Sequence, residues 1–211
     1  MVVVQNSYDI AESEGLSDFD ARHRFVISAI YDLPFSGNMF VKGWQVGLIT
    51  QAQTGNPLNI VTNVGTFNGV VNTLRPDLIG DPTVLGSPNG WFNNSVCDPR
   101  TVGSCSSSSA FALPVSADGV FHFGNLGRNV VIGPGFSNTD LSVIRNVGIG
   151  SAARLQLRME VFNLFNHTNF GQPGRIAVPD STAFGVITNT RFPTGDSGSS
   201  RQVQFAAKII F

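Results

Sequence analysis

Charge is scarce in this sequence. Asp, Glu, Lys and Arg make up 13% of its 211 residues, about half the usual share of a soluble domain, which excludes a coiled coil and a charged disordered tail. The 13 basic residues are scattered and balanced by 14 acidic ones, for a net charge of −1. Without a basic stripe, no nucleic-acid surface is expected. Long apolar runs are missing too: none approaches the roughly 18 residues of a membrane-spanning helix. The start, MVVVQNSYDI, has neither the basic n-region nor the apolar h-region of a signal peptide. It fits a cytoplasmic chain or one whose N-terminal part lies outside this sequence. Plentiful instead are Gly (23) and Phe (17), with Asn, Ser and Thr.

The periodicity is that of strands. RQVQFAAKIIF puts Val203, Phe205, Ala207, Ile209 and Phe211 on one face and Gln202, Gln204, Ala206, Lys208 and Ile210 on the other. A period of two reads as a strand with one apolar and one mostly polar side. RLQLRMEV opposes Leu155, Leu157, Met159 and Val161 to Arg154, Gln156, Arg158 and Glu160. Its residue types favour helix, yet at 100° per residue those apolar side chains would form no stripe, so the spacing predicts a strand. RFVISAIYDL, GWQVGLITQAQ and TDLSVIRNVGI follow the same rule. Their apolar faces are Phe25, Ile27, Ala29, Tyr31 and Leu33, then Trp44, Val46, Leu48 and Ala52, then Leu141, Val143, Val147 and Ile149 interrupted by Arg145. Five amphipathic strands of about ten residues have the length of tilted strands crossing a bilayer.

The connections alternate in length. PFSGNMFVK joins the first two strands and a turn around residues 150–152 joins the third and fourth, whereas residues 55–138 and 167–200 are long and rich in Gly, Pro, Asn, Ser and Thr. Loops of that length are uncommon in compact soluble domains. Short periplasmic turns and long extracellular loops are the plan of outer-membrane barrels. Counting back from Phe211 at a periplasmic rim puts both long loops outside and both short turns inside. Tyr31, Trp44 and Phe211 then fall at the periplasmic interface, where aromatic rings form a girdle, and Arg145 lies close enough to snorkel to it. Five strands cannot close a membrane barrel, which needs about eight. The chain is therefore expected to be a fragment or to assemble with other chains.

Candidate chemical motifs weigh less than their structural readings. Gly195-Asp196-Ser197-Gly198 copies the tetrapeptide around a serine-protease nucleophile, but Ser199 replaces a second Gly and no Ala-Ala-His-Cys segment precedes His23, His122 or His167. Gly148-Ile149-Gly150-Ser151-Ala152-Ala153 has dinucleotide-fingerprint spacing, but a strand follows where a helix is needed, so a hairpin turn explains it better. The histidines lack partners at metal-ligand spacing. Asp20 before Arg22-His23-Arg24 reads as a salt-bridge cluster at the rim. No catalytic residue, cofactor or metal is expected. Cys97 and Cys105, with seven residues between them, would form a disulfide if their loop is exported; two free thiols are the alternative.

The stretches FDARHRFVISAIYDLPF, GWQVGLITQAQTGNPLNI, FGNLGRNVVIGPGFSNTDLSVIRNVGI and RLQLRMEVFNLFNHTNFGQP, with the terminal RQVQFAAKIIF, resemble the last strands of TonB-dependent outer-membrane receptors of the Oar-like type. That resemblance covers most of the chain. It implies an all-β fold: residues 1–211 as an antiparallel transmembrane β-barrel segment, the five C-terminal strands of a 22-stranded barrel with extracellular loops at 55–138 and 167–200. It implies the outer membrane of a Gram-negative bacterium and a part in ligand binding and active uptake. TonB would act through a plug that, with about seventeen strands, this sequence does not contain. Val203, Phe205, Ala207, Ile209 and Phe211 resemble the signal read by the barrel-assembly machinery. Gln156, Arg158, Glu160, Gln202, Gln204 and Lys208 are expected to face the lumen, with Arg158 and Glu160 bonding to neighbouring strands. The partners implied are outer-membrane lipids, that machinery, the plug and the remaining strands. The alternative is a soluble or secreted all-β binding module with Phe25, Leu157 and Phe205 buried sheet against sheet. The transported ligand is not legible: siderophore, oligosaccharide and peptide remain open.

Overall fold

The computed structural model describes residues 4–38, 41–64, 74–149, 153–191 and 200–211. Two compact units emerge, each assembled from three separated segments of chain.

One unit comprises Arg22–Thr54, Gly135–Asn169 and Thr190–Phe211. It contains the five long strands: β1 (Arg24–Asp32), β2 (Trp44–Gln53), β3 (Phe136–Ile149), β4 (Ala153–Phe162) and β5 (Gln202–Ile210). They form one antiparallel sheet in which chain neighbours are sheet neighbours. The alternation in RLQLRMEV thus overrides its helix propensity, because only a strand separates its apolar and polar residues onto two sides. The sheet is open, with β1 and β5 as its edges, and no closed barrel is formed by the described residues.

Strand β3 starts at Phe136, three residues before the expected Thr139. Its extra length is supported by asparagines just beyond β4. Ser137 donates its backbone N–H to Asn169 Oδ1 (2.8 Å) and accepts from Asn169 Nδ2 (3.0 Å), so one side chain replaces a strand partner. Leu164 N–H reaches Thr139 O at 2.7 Å. Asn163 takes a positive φ of 50°, a conformation Asn tolerates, and its side chain ties the turn through His167 N–H (3.0 Å) and His167 O (2.8 Å). Asn166 Oδ1 then accepts from Arg201 N–H at 2.9 Å, just before β5. The run NLFNHTN is therefore a corner built from asparagine amides.

The other unit comprises Met1–Ala21, Gly55–Pro134 and Phe170–Asn189. Sequence reading leaves these long connections as loops; instead they fold around a core of their own. Pro57–Leu58 pairs with Val131–Ile132, Asp77–Leu78 with Phe111–Ala112, which also pairs in parallel with Val96–Cys97, and Val84–Ser87 with Gly90–Phe92. Phe92, Phe111 and Phe184 are fully buried and meet edge to face, with centroids 5.2, 5.5 and 6.1 Å apart, the arrangement ring quadrupoles favour. Leu58, Ile60, Leu126 and Val131 complete this core. The N-terminal segment is strapped to it by buried Gln5, which donates to Gly124 O (2.9 Å) and accepts from Arg75 N–H (3.0 Å). Arg75 in turn donates to Glu12 O at 2.9 Å. Burial pulls its guanidinium below the usual arginine range, and the nearby Glu12 charge opposes that. Backbones approach so closely that a Cβ at Gly55 would strike the Gly133 carbonyl, and one at Gly124 the Arg75 carbonyl.

Candidate functional site

The long strands converge on a wall with two unlike sides. Register aligns Phe25, Ile27, Ala29 and Tyr31 of β1 with Ala52, Thr50, Leu48 and Val46 of β2. These continue into Leu141 and Val143 of β3, Val161 and Met159 of β4, and Val203 and Phe205 of β5. One apolar side therefore runs unbroken across all five strands, with Arg145 as its one charged member. Phe25, Leu157 and Phe205 are 56%, 40% and 75% exposed, so no second sheet among the described residues covers them.

The opposite side is mostly polar, with Val26, Ile30, Ile49 and Ile144 among its apolar members. Gln156, Arg158, Glu160, Gln202, Gln204 and Lys208 share it, with Gln156 opposite Lys208 and Glu160 opposite Gln204. Gln45 donates to Asp32 Oδ1 at 2.8 Å and Gln156 to Asn146 Oδ1 at 3.1 Å. Arg158 contradicts one expectation: it pairs with Glu160 along its own strand, Nη1 to Oε1 at 3.5 Å, rather than with a neighbouring strand. Side chains two apart on a strand share a face, so a long Arg reaches its own Glu first. Mid-sheet, a hollow of about 180 Å³ opens where Gly47 has no side chain, bordered by Ser142, Asp140 and Glu160.

The two ends of the sheet differ. At one end Arg24, Gln53, Phe136, Phe162 and Gln202 mark where the long connections leave. At the other, residues 33–43 link β1 to β2, and residues 150–152 link Ile149 to its register partner Ala153. Tyr31, Trp44 and Phe211 all lie toward this second end, and the guanidinium of Arg145 sits over the Trp44 ring at 5.1 Å from its centroid, a cation–π distance. Val203, Phe205, Ala207 and Ile209 lie on the apolar side, and Phe211 follows β5 almost wholly exposed.

The other unit contains a cleft of about 800 Å³. Asp18, Asn59, Asn63, Gln172, Arg175 and Asp180 supply its polar lining, and Pro57, Leu58 and Ile176 part of its apolar lining. Asp18 is held by Asn129 Nδ2 at 2.6 Å and by Arg128 at 3.5 Å. Nothing in the sequence pattern marks these residues, since they come from three segments far apart in the chain.

Cys97 and Cys105 are joined in a disulfide with Cα atoms 5.0 Å apart. Cys97 is buried. The bridged loop is fastened internally by Arg100, which clasps Asp98 at 2.7 and 2.9 Å; that hydrogen-bonded ion pair draws the half-buried Asp98 carboxyl below its ordinary range. The expected rim cluster does not form: no ion pair among the described residues joins Asp20 to Arg22, His23 or Arg24. His23 is committed through its backbone to Thr54 (2.9 Å), and Arg24 begins β1. His122 meets Asp77 at 2.7 Å, and no group of three metal-ligating side chains occurs among the described residues. The Gly195–Gly198 tetrapeptide with Ser199, and residues 150–152 of the dinucleotide-like string, lie outside the described residues; the string is followed by strand β4.

A family model described as an outer membrane beta barrel domain matches residues 1–204. No curated protein and no solved structure matches the chain.

Proposed function

This chain belongs to the outer membrane beta barrel domain family, and from that premise we propose that it is a wall segment of a TonB-dependent receptor of the Oar-like type. The observation that carries the reading is the unbroken apolar side over five strands of nine to fourteen residues. That length and alternation suit a lipid-facing surface opposite a wet lumen. The polar side, with Gln156, Arg158, Glu160, Gln204 and Lys208, lines the lumen. The short links face the periplasm, and the long connections face outward, where a ligand first touches them. Strands pairing with the free edges of β1 and β5 close the barrel, in this reading to 22, because open edges are not tolerated in lipid. TonB, acting on a plug, supplies the energy for uptake, and Val203 to Phe211 guide assembly. A soluble module would need Phe25, Leu157 and Phe205 under cover, and their exposure speaks against it.

The test is uptake by cells carrying this protein in their outer membranes, with siderophore, oligosaccharide and peptide probes. Accumulation that disappears when TonB is deleted is the expected result. Accumulation equal with and without TonB would assign a passive pore instead.

A further inference from the structure

We propose that the apolar side of the sheet holds a seat for an anionic phospholipid, formed by Arg145, Trp44 and the groove beside them. The proposal rests on reading that side as lipid-facing.

Arg145 is the one charged residue that register places on this side of the five strands; its partners across β2 and β4 are Trp44 and Leu157. A cation on a lipid-facing strand is tolerated near the interface and not at the midplane. Trp44 is the first residue of β2, and Trp rings concentrate at the headgroup level. The ring therefore acts as a platform that fixes the guanidinium, 5.1 Å away, at the height of a lipid phosphate. Val143, Leu157, Met159, Phe205 and Ala207 line an adjoining groove of about 570 Å³, which also borders Arg158 and Ala206, two residues that register assigns to the other side of the sheet; the volume is within the range of small-ligand sites. The Met159–Phe205 pair lies two residues further along the strands than Leu157–Ala207, so the groove leads from the cation toward the middle of the sheet.

This arrangement suits a molecule with an anionic head and an apolar tail. Arg offers a planar fork of N–H donors to phosphate oxygens, and the groove takes an acyl chain. A phospholipid of net negative charge complements the lone cation, whereas a zwitterionic one brings its own cation to the same place. At the short-link end the supplying leaflet is the periplasmic one, so the occupant is a phospholipid such as phosphatidylglycerol and not an outer-leaflet glycolipid.

The experiment uses the protein extracted from outer membranes with its closing strands, placed in nanodiscs of equal phosphatidylglycerol and phosphatidylcholine, with retained lipids counted by native mass spectrometry. Several-fold enrichment of phosphatidylglycerol is expected for the wild type, falling to near parity in Arg145→Gln and persisting in part in Arg145→Lys. Parity in the wild type overturns the proposal, and so does enrichment that survives Arg145→Gln. Should Arg145→Gln not assemble, the wild-type ratio together with Trp44→Leu decides: enrichment reduced by loss of the platform supports the seat, and undiminished enrichment overturns it. Protein that fails to float with lipid vesicles would instead sink the membrane reading itself, an outcome distinct from insertion without lipid preference.

Discussion

Leu48 and Ile49 are adjacent, both apolar and nearly equally deep along the interior strand β2, yet they point to opposite sides of the sheet. Leu48 aligns with Ala29 and Leu141 on the apolar side, and Ile49 with Ser28 and Asp140 on the polar side. Leu48 lies four residues from Trp44, about 13 Å along a strand rising 3.3 Å per residue, which puts it near mid-bilayer. An Arg there has no water to reach and costs about 2–4 kcal/mol, roughly a 30- to 700-fold loss in the folding equilibrium. An Arg at position 49 enters the hollow beside Asp140 and Glu160, facing lumen water and two carboxylates, and its cost is near zero. The assay is the protease-resistant, heat-modifiable fraction in outer membranes, followed by denaturant titration in liposomes. The expected order is wild type equal to Ile49→Arg, with Leu48→Arg far below. A reversed order would mean that the polar side meets lipid, and equal losses would mean that protein covers both sides. Either refutes the facial assignment.

Three further predictions concern the other unit. Replacing Cys97 and Cys105 by Ser frees a loop whose closure is worth about 2–3 kcal/mol in chain entropy, so residues 98–104 become sites of rapid limited proteolysis while the long strands stay protected. Phe184→Ala removes one ring from the buried triad and costs about 3–5 kcal/mol, read as a lowered melting transition of this unit with the sheet's transition unmoved. Asp98 titrates below the ordinary aspartate range because Arg100 clasps it. A depressed folded pKa makes its contribution present above the unfolded value and lost as pH falls through the folded one. Arg100→Ala should return the carboxyl resonance to the ordinary range in an NMR titration, and an unchanged midpoint would remove the pair as the cause.

The wall was legible because its rule is local. A period of two needs only a residue and its second neighbour, and one side buried in a uniform medium rewards that pattern at every step. Even RLQLRMEV, with its helix-forming composition, obeys it, and the register then carries each strand's apolar side onto the next without a slip. The start of β3 escapes the pattern because Phe136, Ser137 and Asn138 show no clean alternation; they are strand because they pair with Gln53, Ala52 and Gln51 of β2, with Asn169 bonding to the other edge of Ser137. A side-chain amide thirty-two residues away leaves no local trace.

The second unit shows why length and composition misled. Gly, Pro, Asn and Ser are read as loop because they break periodic elements, and its ladders are indeed only two to four residues long. Yet breaking periodicity is not the same as lacking a core. Phe92, Phe111 and Phe184 come from positions with no common spacing, and glycines beside this core let backbones approach where a Cβ would hold them apart: one at Gly174 would meet the Ala183 carbonyl next to Phe184, and one at Gly80 the Ser109 carbonyl next to Ala110. The same residues that erase the pattern permit the packing. A cleft made this way, like the one bounded by Asp18, Asn59 and Arg175, owes its shape to long-range closure. Its shape is therefore expected to change with substitutions at glycines where backbones meet as readily as at the side chains lining it. Gly55→Ala, whose added methyl would meet the Gly133 carbonyl, tests that reasoning: protection of the ladder between Pro57–Leu58 and Val131–Ile132 from hydrogen exchange should fall, and undiminished protection would break the link.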